Sequence, residues 1–66
     1  MQIWINGEQK EIKEGETLQD LLRELDCDAA TVVVEMDGTI VARDAFAATV
    51  LNVGNRLEIV RFVGGG

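Results

Sequence analysis

Thr17-Leu18-Gln19-Asp20-Leu21-Leu22-Arg23-Glu24-Leu25 is the stretch on which the fold turns. Leu18, Leu21, Leu22 and Leu25 fall at i, i+3, i+4 and i+7, which lines them up as one apolar stripe on a helix. Thr17 stands where an N-cap belongs, with Asp20 three residues on at capping-box spacing, and Glu16 and Asp20 favour the positive end of the helix dipole. The pattern ends near Asp26–Asp28, so the helix is expected to stop there. A single stripe of leucines needs one partner layer, and the flanking sequence supplies strands.

Upstream, Met1-Gln2-Ile3-Trp4-Ile5 alternates with period two, which puts Met1, Ile3 and Ile5 on one face. Asn6-Gly7 is a hairpin signal because both residues tolerate positive φ. Glu8 to Lys13 reads as a polar return strand at a sheet edge with Ile12 pointing inward, and Gly15 breaks it. Downstream, Val32-Val33-Val34-Glu35-Met36 is β-branched and strand-like. Asp37-Gly38 is a second tight turn, and Thr39-Ile40-Val41 returns. Ala45 to Val50 reads as either a loop or a short helical turn. Gly54-Asn55 then turns the chain into Leu57–Phe62, the last strand, and Gly64-Gly65-Gly66 follows.

The order is hairpin, helix, hairpin, strand. A helix between two strand pairs must cover one sheet face to hide its leucines. The first and last strands then become central neighbours running parallel. The expectation is an α+β, ubiquitin-like β-grasp: a mixed sheet of four to five strands with one main helix on one face. Residues 1–66 read as a single domain with a flexible glycine tail at 63–66. Leu21, Leu22, Ile3, Ile5, Val34, Leu57 and Ile59 are the predicted core.

Composition narrows the chemistry. A chain of this size buries only about 60% of the surface that its unfolded form exposes. One cysteine and no histidine rule out a disulfide framework and a Cys/His zinc site, so packing alone must hold the fold. Twelve acidic against six basic residues give a net charge of −6. That is the wrong sign for nucleic acid and the right one for partners with a basic surface. No apolar run follows a basic start and none approaches membrane-spanning length, so neither export nor membrane insertion is expected. With a single cysteine, this fits a reducing cytoplasm.

The glycine tail is the sharpest candidate site. Three residues without side chains can enter a channel too narrow for any Cβ and present a carboxylate there; the plain alternative is a frayed end. From Val63 to Gly66 the reach is at most ~14 Å. Cys27 lies between Asp26 and Asp28 near a helix C-terminus, surroundings that disfavour a thiolate, so it reads as an ordinary reduced cysteine. Asp26/Asp28 and Glu14/Glu16 read as solvated surface. If Ile3, Ile5, Leu57 and Ile59 face the helix, then Trp4, Val60 and Phe62 face away and come together on the open side of the sheet. There they form an exposed apolar patch of the kind that marks a binding site, unless a loop covers it.

Taken together, the Met1-Gln2-Ile3 start, Asn6-Gly7, Gly15 with Thr17, the leucine helix, Ile40-Val41 with Arg43, Leu57-Glu58-Ile59-Val60 and the Val63-Gly64-Gly65-Gly66 end resemble the ThiS family of thiamine-biosynthesis sulfur carriers. Asp37 stands where asparagine is commoner, Ala42 where proline is common, and Asn55 where Gly-Asp is usual. The resemblance implies a carrier and not an enzyme. It also implies that an ATP-dependent adenylating (E1-like) enzyme activates the Gly66 carboxylate, that a cysteine-desulfurase-derived donor converts it to a thiocarboxylate, and that thiazole synthase takes the sulfur. Gly64 and Gly65 are then expected to thread the tail into the partner and Trp4, Val60 and Phe62 to form the docking patch, and no metal or cofactor is expected on the carrier. The small subunit of molybdopterin synthase and a ubiquitin-like protein modifier share fold and tail and are the alternatives.

Overall fold

The computed structural model describes residues Met1–Phe62. Strand β1 (Gln2–Ile5) pairs antiparallel with β2 (Glu8–Glu11), Ile5 opposite Glu8. Asn6 and Gly7 make the turn at φ 49° and φ 85°. A two-residue hairpin of type I′ requires this double positive φ. β2 ends at Glu11, two residues before the predicted Lys13, because its partner strand runs out. The amide of Ile12 donates to the Met1 carbonyl at 2.8 Å, and the chain's terminal ammonium takes the Glu11 carboxylate and the Ile12 carbonyl. Ile12 itself is buried, as its inward position requires.

Helix α1 (Leu18–Glu24) starts on the predicted box. The Thr17 hydroxyl accepts from the Asp20 amide at 3.1 Å, and the Asp20 carboxylate accepts from the Thr17 amide at 3.0 Å. That amide, then the hydroxyl, hold the Asp20 carboxyl below the usual carboxylate range, since both stabilise its charged form. The helix ends at Glu24 with Leu25 as its C-cap, just short of the predicted Asp26–Asp28 limit. Asp26 adopts the left-handed conformation at φ 58°, its amide donating to the Arg23 carbonyl and that of Cys27 to the Leu22 carbonyl. This pair of closing bonds is the Schellman pattern, with an aspartate in the place glycine usually fills.

A 3₁₀ turn (Ala29–Thr31) leads into β3 (Val32–Met36), which returns antiparallel as β4 (Thr39–Val41) through Asp37-Gly38, again with both φ positive. The segment left open between loop and turn is a 3₁₀ helix (Arg43–Ala48). β5 (Arg56–Arg61) enters between β1, to which it is parallel, and β3, to which it is antiparallel. The order is therefore β2-β1-β5-β3-β4, a mixed five-stranded sheet with α1 on one face: a ubiquitin-like β-grasp.

Ile3, Ile12, Leu18, Leu21, Leu22, Val32, Val34, Phe46, Leu51 and Leu57 form the buried core. Two expected members, Ile5 and Ile59, are only half-buried at its margin. A helix as short as α1 is roughly 10 Å long and cannot reach across five strands spaced about 4.8 Å apart. Phe46 on the second 3₁₀ helix and Leu51 after it take up the remaining apolar surface, a role their sequence context did not reveal.

Two of the three departures from the pattern that the sequence resembles, Asp37 and Asn55, meet in space. Asn55 donates its Nδ2 to Asp37 Oδ2 at 2.6 Å, Asp37 Oδ1 accepts from the Arg56 amide at 2.9 Å, and Asn55 Oδ1 accepts from the Asn52 amide at 2.6 Å. Exchanging amide and carboxylate between positions 37 and 55 preserves every one of these bonds. Asp37→Asn alone is expected to lower stability by about 0.5–1.5 kcal/mol, because with the one remaining oxygen on the Arg56 amide the new NH2 group faces that of Asn55, and Asn55→Asp added to it to restore the loss. Urea melts of the two single variants and the double variant check this; additive effects would refute the pairing.

Candidate functional site

β5 turns Leu57 and Ile59 towards α1 and Arg56, Glu58 and Val60 to the opposite, uncovered face. Phe62 continues that face by the period-two alternation of a strand. It is still tied to the sheet, its amide donating to the Thr31 carbonyl at 2.8 Å. Val60 and Phe62 are 55% and 57% exposed, and Ile40 on β4 is 66% exposed. No described loop covers them.

Trp4 lies on the same face but not beside Val60. Its register partner on β5 is Arg56. Val60 comes four positions later on that strand, a separation of roughly 13 Å at the usual rise per residue. The Arg56 guanidinium sits 5.2 Å from the centre of the Trp4 ring, within cation–π range. Val33 of β3, not Trp4, stands directly opposite Val60. The expected trio is thus divided: Val60 and Phe62 adjoin, joined by Val33, while Trp4 belongs to a separate polar-aromatic corner. Sequence alternation shows which face a residue takes, but only strand register shows how far along that face it sits.

Between the two halves lies one row of residues running across the sheet. Glu58 is opposite Glu35, and Glu35 is opposite Ile40. On the β1 side the Asn6 side chain binds the backbone of Ile59, accepting at 2.8 Å and donating at 3.2 Å, which locks the first hairpin turn to β5.

Cys27 has a neighbour that its sequence context concealed. The Arg61 guanidinium at the end of β5 donates to Cys27 Sγ at 2.9 Å, and this contact raises the arginine above its ordinary value. The surroundings are therefore not purely acidic, as Asp26 and Asp28 implied. A separate hollow between β2 and α1 is lined by Glu11, Glu14, Glu16, Asp20 and Glu24. Among the described residues no group of three or more potential ligands is placed to hold a metal, and no helix is long and apolar enough to cross a membrane. Gly64, Gly65 and Gly66 lie outside the described residues.

Against known proteins, the ThiS family model matches residues 3–66. The chain belongs to the ThiS family. A thiamine biosynthesis protein (ThiS) from Geobacter metallireducens superposes with a TM-score of 0.84 at 33% identity, each chain covered in full. Among curated proteins, all 66 residues align at 41% identity with a thiazole synthase of Paramagnetospirillum magneticum. A thiazole synthase of Magnetococcus marinus aligns at 38%. The chain spans only 20% of the length of each of these two. An uncharacterized protein ycf40 of Porphyra purpurea is 36% identical over 97% of this chain and 90% of its own length.

Proposed function

We propose that this ThiS-family chain is a sulfur carrier of thiamine biosynthesis, working in the cytoplasm as the substrate of other enzymes and not as an enzyme itself. The observation that carries the reading is the span of the family match, which runs from residue 3 through the glycine tail to Gly66.

The chemistry follows from the weakness of a carboxylate as an electrophile. An ATP-dependent adenylating enzyme joins the Gly66 carboxylate to AMP and releases pyrophosphate, which gives the carbonyl a leaving group. The outer sulfur of a cysteine-desulfurase-derived persulfide attacks that carbonyl and AMP departs. A thiol then reduces the S–S bond and leaves a thiocarboxylate, whose sulfur passes to thiazole synthase. Gly64 and Gly65 lead the carboxylate into the partner, since neither carries a Cβ to obstruct a narrow channel. Thiazole synthases that contain a stretch like this whole chain support the pairing. Linking two partners in one polypeptide raises their effective concentration to the millimolar range for short linkers, an advantage only if they meet.

Docking falls to the open sheet face. Val60 and Phe62, with Val33 between the strands, form its apolar part, and Trp4 with Arg56 forms a second, smaller contact. Phe62→Ala is expected to weaken binding of the adenylating enzyme about tenfold or more, as loss of an aromatic anchor does, with little change in the urea midpoint. Unchanged affinity would remove Phe62 from the interface. The whole reading is tested by intact-mass analysis of the chain incubated with ATP, a sulfur donor and the adenylating enzyme. The expected gain is the difference between one sulfur and one oxygen, confined to the C-terminal peptide. A lysine conjugate in its place would establish the protein-modifier alternative.

A further inference from the structure

On the open face, Glu35 and Glu58 stand directly opposite each other on neighbouring antiparallel strands, both exposed. Residues so placed have Cβ atoms ~4.5–5.5 Å apart, and like charges there destabilise the sheet. Among the described residues neither glutamate makes an ion pair. Four of the chain's six Lys and Arg side chains are engaged elsewhere, Lys10 with Glu24, Arg23 with Asp20, Arg43 on the Ala29 carbonyl and Arg61 on Cys27, and Lys13 follows β2, the strand at the far edge of the sheet. Arg56, two residues before Glu58 on the same face, has its guanidinium over Trp4. The pair is also bordered by apolar groups, with Ile40 next to Glu35 in the same row and the Val33–Val60 pair in the next.

A partner that covers Val60, Phe62 and Ile40 also removes water from Glu35 and Glu58. Two desolvated carboxylates with no counter-charge are far too costly to bury against an apolar or acidic surface. The cation must come from the other molecule. A guanidinium fits best, because its planar fork can donate to two carboxylates at once while its flat face packs against Ile40 and Val33; an ammonium is a compact, strongly hydrated point charge. Two carboxylates on an exposed sheet, with no third ligand placed beside them among the described residues, do not make a metal site.

We propose that the open sheet face docks a protein surface presenting an arginine set among apolar side chains, and that the Glu35–Glu58 pair selects for that arginine. The pair is then a specificity element, repulsive in the free carrier and satisfied only in the complex. This rests on the sulfur-carrier reading and names the chemistry of the partner's docking surface.

The test compares the full chain with Glu35→Gln/Glu58→Gln, using the adenylating enzyme as the probe, and with Glu14→Gln on the β2–α1 loop as control. The double variant is expected to be at least as stable as the parent in urea. It should nevertheless bind about tenfold more weakly, with a flatter dependence on salt. In activation assays its KM as carrier should rise with kcat unchanged, and Glu14→Gln should behave as the parent. If the double variant binds as well as the parent or more tightly, the face meets no cation and the inference falls, while thiocarboxylate formation on the parent leaves the carrier reading standing. If the double variant is less stable, the pair is not repulsive and the inference falls too. If the parent is not activated at all, the carrier reading falls and takes the inference with it.

Discussion

Leu22→Ala is expected to cost about 2–5 kcal/mol of folding stability. Leu22 is 2% exposed and lies in the α1 stripe with Leu18 and Leu21, facing Ile3, Val34 and Leu57 across the layer. α1 contributes only seven residues, so the stripe has no further turn over which to redistribute packing. The helix is also fixed at both ends, by the Thr17–Asp20 box and by the closing bonds of Asp26 and Cys27, and cannot slide to fill the cavity. A domain of this size holds only a few kcal/mol in reserve, so the loss approaches the whole margin. Urea denaturation followed by the Trp4 fluorescence measures it. A loss under ~0.5 kcal/mol would be that of a surface substitution and would contradict this layering.

The elements that were legible in the sequence are those with a local physical cause. The leucine stripe, the Thr17 cap, and the Asn6-Gly7 and Asp37-Gly38 turns depend on residues within a few positions of one another, and each forms as read. Element ends were less legible because partners distant in sequence set them. β2 stops at Glu11, opposite Gln2 where β1 begins, and α1 stops beside an aspartate in a conformation typical of glycine. The burial of Phe46 and Leu51 answers a shortage of cover that only the assembled sheet reveals. The same limit governs the site. Alternation placed Trp4, Val60 and Phe62 on one face, but the parallel register of β1 with β5, a long-range fact, set Trp4 apart, and that of β3 with β5 put Val33 beside Val60. Likewise the opposition of Glu35 to Glu58, and the approach of Arg61 to Cys27 across 34 residues of chain, exist only in the folded sheet.

Deleting Gly66, or adding one residue after it, is expected to abolish activation while leaving the fold intact. Among the described residues every buried core residue lies between Ile3 and Leu57, and this core is expected to hold the fold in both variants. Function is affected quite differently. Adenylation is a reaction of one carboxylate, which must arrive at ATP with its carbonyl aligned for transfer. A carboxylate drawn back by one residue falls short by up to ~3.5 Å, and one pushed forward by a residue overshoots by as much. Near-attack geometry tolerates far less, since misplacement by about 1 Å already costs on the order of a hundredfold. Under the proposed function, Gly65→Ala should reduce activation without abolishing it, because it adds a Cβ and narrows φ in the segment proposed to lead the carboxylate into the partner. The measurements are pyrophosphate release with ATP and the adenylating enzyme, and the intact mass after adding the sulfur donor. Urea melts of each variant serve as the folding control. Wild-type rates for the truncated chain would show that Gly66 is only the end of a polypeptide. In that case the β-grasp would stand, and the carrier reading would have to be withdrawn.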